Sequence, residues 1–525
     1  MQKMLSLGFA GFVIPLYFAA TIAIGWFTRR KGTSANSYLN ASRSLSVAVV
    51  SIAYLSANSG ALEIIGMSAL AAQYGVRAFH FYWIGAIPAM IFLAMWMMPV
   101  YRRSGVNSVP EYLDVRYGPS VRLMNACVLA LTALLMAGIC QYAMAQVLGA
   151  VLGLSFLASV LVSSSVVLVY VLLGGVRATI YNEVFQLIVM LAGLVPLTIR
   201  TAHLAIRPST ASGEWHHLWL NMPLMSPGAS LDGIGVVLGL GFVLSFSYWC
   251  TDFVQMQRAF AARTDDGARQ VPLWAGFGKL VISLIVVIPG LAAFHQIQGL
   301  GHSQRFDQVM PLMMTAFYSP AMLSLGFTAL VASLMAGLAS RISAFAALWT
   351  EDIYAARFCP CRADSHYLLV GRISVIAAVA ASAAASWTTF HFGSLMEHVQ
   401  LISSIFVAPF WAIFLLGMTT QRITKRGAIA GFVSGCCAGI LHLAAVEQGW
   451  LCYGSAMSTN FYVAIYTFTI AVAVAWLFRE KPSQVSDTCL VFHWRTGFQS
   501  RRRALLLTLS VLLLFTCLFL NWLWR

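Results

Sequence analysis

Apolar runs long enough to cross a bilayer fill most of this chain. They fall at roughly 7–27, 46–72, 80–100, 123–151, 155–173, 179–199, 232–257, 272–297, 319–350, 368–390, 396–419, 427–446, 460–478 and 503–523. About 20 apolar residues make one spanning helix. In lipid every backbone N–H and C=O needs a partner within the protein, and a helix supplies one inside its own segment. The chain is therefore expected to be an all-α polytopic membrane protein with about 14 transmembrane helices, built as one domain over 1–525. Charged residues make up 9% of it and the mean hydropathy is +0.80. Soluble proteins carry about 25% charged residues, and no long polar block marks a soluble domain.

The formal net charge of +15 suggests nucleic acid until its distribution is read. With the N-terminus outside, loops on the inner side hold 23 Lys and Arg and outer segments hold 6. The remaining three, Lys279, Arg341 and Arg372, lie within apolar runs. Positive residues accumulate on the cytoplasmic side. The charge is thus topology, with no nucleic-acid partner. The expectation is a multi-pass protein of a plasma (inner) membrane with both termini outside. The run 7–27 lacks a small-residue cleavage site and reads as a span rather than a signal peptide. The ten Cys, Cys359-Pro360-Cys361 among them, read as mostly reduced and structural.

Glu63 lies in Ser56-Ala57-Asn58-Ser59-Gly60-Ala61-Leu62-Glu63, a small polar break inside an apolar run. Ionisable groups at membrane depth are costly and mark functional sites. Broken helices near mid-membrane mark transporter binding sites. A second break is expected near Gly233, Gly235, Gly239, Gly241 and Ser245-Phe246-Ser247-Tyr248, five helices later. Five is odd, so the two helices run in opposite directions. This predicts a 5+5 inverted repeat, 46–199 and 232–419, followed by peripheral helices over 427–525. Unwinding is expected around 56–61 and 241–247.

Glu63 and Lys279 are the clearest opposite charges on separate core helices. Paired, they can stay ionised and offer donors and acceptors to a hydroxylated ligand. The plainer alternative is a salt bridge that only locks helix 2 to helix 8. His216-His217 reads as interfacial, and Glu397-His398 as an exposed helix start or a proton relay. No P-loop, Ser/His/Asp arrangement or zinc signature is present.

Six motifs occur in a recognisable order over about 50–430. They are Ser56-Ala57-Asn58 with Gly66-Met67; Val109-Pro110-Glu111-Tyr112-Leu113; and Gly174-Gly175 with Tyr181-Asn182-Glu183-Val184-Phe185-Gln186. Then follow Tyr248-Trp249-Cys250-Thr251-Asp252 with Gln257-Arg258; Lys279 with Pro289-Gly290; and Asp352-Ile353-Tyr354. This series resembles the sodium:solute symporter family, which contains the sodium–glucose cotransporters. The resemblance implies a LeuT-type core. It also implies a substrate site of Glu63, Tyr82, Ser245, Tyr248, Lys279 and Gln400. Tyr248 would close that site from the inside, or, as an amphipathic ring, only pack between helices.

The same resemblance places a sodium site on carbonyls of Ser56, Ser59 and Ser333 and on side chains at Ala336 and Gly337. Neither Ala nor Gly has a side-chain oxygen, so this site is expected to be degraded. A one-turn slip would bring in Ser340. A second cation site falls on Glu183 and Ser340. Arg341, four residues after Gly337, would stand in for the missing cation, snorkel inward, or pair with Glu183. No organic cofactor is implied; the coupling ion is Na+ or H+.

The leading class is a secondary active transporter of a small polar solute. Lys279 and Gln400 favour a sugar or polyol; Glu63 suits an amine too. The alternative is a polytopic membrane enzyme acting on a lipid-linked substrate. That would place acids or His in extramembrane loops, whereas these loops are short. A channel would need a repeated filter motif, which is not seen.

Overall fold

The computed structural model describes residues 2–28, 35–40, 43–60, 62–106, 108–205, 217–219, 222–226, 228–297, 300, 305–391, 394–480, 500 and 502–524. Among the basic residues used for orientation, Arg29, Arg30, Lys31, Arg207, Lys481, Arg495, Arg501 and Arg525 lie outside the described residues, as do Ala61 and His216.

Each of the fourteen apolar runs falls on helix. Among the described residues ten helices are long and apolar enough to cross a membrane, and up to twelve when each of two bent pairs counts as one span. Part of the difference from fourteen lies at the runs 155–173 and 179–199. They form the 50-residue stretch Phe156–Ala205, bent at Gly175, whose φ of 58° and ψ of −152° are not helical. The helix Ala35–Asn40 supports this kink. Tyr38 donates from its hydroxyl to Val171 O at 3.1 Å, satisfying a carbonyl one turn before the kink. Part lies at the first helix, Gln2–Thr28, which is not among the twelve.

The chain divides into two compact units. The first holds Met1–Phe79, Ala133–His217 and Gly278–Met396. Its centre is Phe156–Ala205 packed on Pro320–Ala347, with Gln2–Thr28 against both. The second holds His80–Thr132, Leu218–Phe277 and Glu397–Arg525. There Lys425–Glu447 packs on Ala456–Leu477 through a stripe of glycines. A Cβ on Gly431 would lie 2.6 Å from Ala471 O, and one on Gly435 2.9 Å from Thr467 O. Small residues at such a spacing let two membrane helices approach closely.

The first expected break is present, but 56–58 stay helical and it begins at Ser59. Val47–Asn58 and Leu62–Phe79 are bent by 57°. Ser59 ends the first helix, its hydroxyl donating to Leu55 O at 2.8 Å. The second break is elsewhere than expected. Gly235–Ser245 is a continuous π-helix that runs on as α-helix to Thr251, so 241–247 is not unwound. The bend, 46°, falls at Asp252, whose side chain accepts from Gln255 N and caps the next helix. The glycines serve packing instead. A Cβ on Gly239 would sit 2.6 Å from Phe461 O, and one on Gly241 3.1 Å from Ile84 Cγ2.

Candidate functional site

In the first unit, Asn58, Glu63 and Lys279 meet. Asn58 is the last residue before the break, and Glu63 lies in the π-turn Leu62–Gly66 just after it. Lys279 comes from the middle of Asp265–Gln296. That helix is held close by two glycines. A Cβ on Gly278 would meet Leu55 Cδ2 at 2.3 Å, and one on Gly290 would meet Ser68 O at 2.5 Å. The approach brings Lys279 Nζ to 2.6 Å from Glu63 Oε2, with a further hydrogen bond from Nζ to Asn58 Oδ1. Side-chain exposure is 2% for Lys279 and 10% for Glu63. Glu63 Oε1 is buried and accepts no hydrogen bond from the described residues. A buried ion pair is tolerated when its charges balance and its donors are used. An acceptor left over at the same place is poised to take a donor from a ligand.

The other four residues singled out for substrate lie in the second unit. Tyr82 is buried on Phe81–Arg103. Ser245 is packed on Gly85, whose added Cβ would fall 2.4 Å from Ser245 Oγ. Tyr248 accepts from Gln255 Nε2 at 3.2 Å, and its ring stands edge-on to Trp249 at 5.3 Å. Gln400 is half-buried on Leu395–Thr419. Beside it, the expectation of an exposed start at Glu397-His398 is corrected. His398 is buried and Glu397 half-buried, because the start of this helix is packed, with Asn460 Nδ2 donating to Glu397 O at 3.1 Å. His217 is half-buried, next to Leu218, which is fully buried.

The cation positions all lie in the first unit. Ser56 O accepts from Ser59 N at 3.0 Å. Ser333 spends its hydroxyl on Leu330 O at 2.8 Å. Gly337 lies against the break itself. A Cβ on Gly60 would be 3.2 Å from Gly337 Cα, and one on Gly337 would be 3.3 Å from Cys140 Sγ. Backbone and a thiol thus stand beside Gly337, one of the two positions that lack side-chain oxygens. One turn on, Ser340 Oγ donates to Glu183 Oε1 at 2.6 Å, with Ala336 O at the same distance. Glu183 and Ser340 are fully buried, and Arg341 is buried on the same helix. Among the described residues no group of three or more His, Cys, Asp or Glu could hold a metal ion.

Two participants were not assigned a role from the sequence. Asn58 stood in a quoted motif, and its place at the end of the helix before Glu63 was the available signal. Cys140 gave none, because its approach to Gly337 joins residues 197 positions apart.

The broken helix, the buried ion pair and the helical span set define a polytopic membrane transporter. The sodium:solute symporter family model matches residues 38–435, and the chain belongs to that family. Similar relatives are a sodium/glucose cotransporter of Vibrio parahaemolyticus, 26% identical over 80% of this chain and 82% of that protein, and sodium/glucose cotransporter 1 of Ovis aries, 24% identical over 82% and 70%. The human sodium/iodide cotransporter is 25% identical over 81% and 68%. A substrate-bound, outward-open Na+-coupled sialic acid symporter has the same fold, with a TM-score of 0.77 at 17% identity, covering 90% of this chain and 99% of that one. The family and these relatives are transporters, not enzymes.

Proposed function

We propose that this protein moves a small polar solute by alternating access, with a sugar or polyol as the favoured cargo. The observation that carries this reading is the buried Glu63–Lys279 pair with Glu63 Oε1 left to accept a hydrogen bond. It offers both charges and a spare acceptor without a net charge, which suits hydroxyl groups. In the second unit Tyr82, Ser245, Tyr248 and Gln400 are the proposed solute contacts. The relatives alone do not choose the cargo, since glucose and iodide cotransporters match this chain about equally well. The proposed inverted repeats are 46–199 and 232–419.

Coupling in this reading depends only weakly on sodium. A hard cation needs several oxygen ligands, and Ala336 and Gly337 provide no side-chain oxygen. The contact of Gly60 with Gly337 supports the same view. Glu183 with Ser340 is the proposed remaining cation locus, for Na+ or H+. Uptake of a solute panel into proteoliposomes tests this, at constant pH and membrane potential, with and without a sodium gradient. The expected result is uptake that sodium raises only slightly, and that Glu183→Gln uncouples from any ion gradient. Ala336→Ser with Gly337→Ser should increase sodium sensitivity, with Cys140→Ala making room for the new side chain. A steep, saturable rise with sodium in the wild type would instead establish ordinary sodium symport.

The proposed orientation in a plasma (inner) membrane has both termini outside, from the Lys and Arg bias. Tags at each end should be removed by protease added to intact cells from outside. Tags protected until lysis would reverse the topology.

A further inference from the structure

The two ends of the Glu63 carboxylate are used unequally. Oε2 meets Lys279 Nζ at 2.6 Å, and the same ammonium donates to Asn58 Oδ1. Oε1 has no hydrogen-bond partner among the described residues, although the side chain is only 10% exposed. A solute that covers Oε1 must return a donor to it, or the acceptor is left unsatisfied in a low-dielectric site. An anion brought to the same oxygen meets a like charge, and the balancing Lys279 is already engaged by Glu63 and Asn58.

Resting on the solute reading above, we propose that the Glu63–Lys279 pair sets the charge class of the cargo. The pair takes net-neutral solutes that donate a hydrogen bond to Glu63 Oε1, and it turns away anions. Polyols and zwitterions carry such a donor without net negative charge. Carboxylates and other anions do not meet both conditions. Glu63→Gln keeps the shape of the side chain and removes its charge. Lys279 then gives the pair a net positive charge, and anions should be admitted.

The test uses the purified full-length protein in detergent, with binding read by equilibrium dialysis and folding by thermal unfolding. The probes are glucose, glucosamine and glucuronate, together with proline and N-acetylproline, which lacks the N–H donor and is an anion. The wild type should bind glucose, or proline, about tenfold or more tighter than its anionic counterpart. Glu63→Gln should shift that ratio towards the anion by about tenfold. The double variant Glu63→Gln with Lys279→Gln should lose the shift, since no charge remains. Equal binding of neutral and anionic members by the wild type overturns the charge inference, as does a folded Glu63→Gln protein with an unchanged ratio. If Glu63→Gln does not fold, the wild-type ratio decides alone. Failure of all five probes to bind overturns the solute reading of the pair and the inference with it. That outcome is distinct from binding without selection.

Discussion

Lys279→Ala is expected to abolish solute uptake while the protein still inserts and purifies as a folded species. The substitution leaves the Glu63 carboxylate buried without its counter-charge and removes the donor that Asn58 Oδ1 receives. Breaking one side of a buried pair costs about 3–5 kcal/mol. Glu63→Ala should fail in the same way from the other side, by exposing Lys279 as the unpaired charge. Uptake into proteoliposomes, normalised to inserted protein, is the measurement. Near-normal uptake by both single variants would remove the pair from the solute path. A third variant separates a ligand role from a structural lock. Replacing both residues by Met removes the charges together, and such apolar exchanges are often neutral or stabilising. The expected result is recovered thermal stability without recovered uptake. Recovery of both would leave the pair as a lock between its two helices.

Gly175→Ala is expected to be the most damaging small substitution in the first unit. Two independent reasons apply. The backbone there has φ 58° and ψ −152°, a region that residues with a Cβ avoid. The added Cβ would also lie 2.4 Å from Tyr38 O, a backbone atom with little freedom to move. Strain of this kind costs about 1–3 kcal/mol before the clash is counted. The thermal unfolding midpoint in detergent should fall sharply, and expression with it. Tyr38→Phe is a milder companion. It deletes only the hydrogen bond to Val171 O and should cost about 0.5–1.5 kcal/mol. If Gly175→Ala unfolded at the wild-type midpoint, the kink would not be a fixed feature of the fold.

The sequence alone determined that this chain is a helical membrane transporter. Apolar length decides that question locally, because lipid leaves the backbone no other partner than its own helix. The break after Asn58 was equally legible, since Ser59 and Gly60 interrupt an apolar run beside a charge that would be costly there unpaired. The break at 241–247 was misread because glycine has two uses, bending and close approach, that look the same in sequence. Only the neighbours Phe461 and Ile84 show that Gly239 and Gly241 are contact points, and the bend went to Asp252, whose side chain could cap the following helix. The same limit applied to Gly175, which was quoted as part of a motif without its role in the kink.

At the candidate site, the sequence supplied the charges and the missing oxygens. Tertiary structure decided their partners. Glu63 and Lys279 are 216 residues apart, and nothing local to either could show that one carboxylate oxygen would be paired and the other left over. The absence of hydroxyls at Ala336 and Gly337 was visible in the chain, but what stands beside them was not. Gly60 and Cys140 reach Gly337 only through helix packing, which is a property of three segments together and of none of them singly.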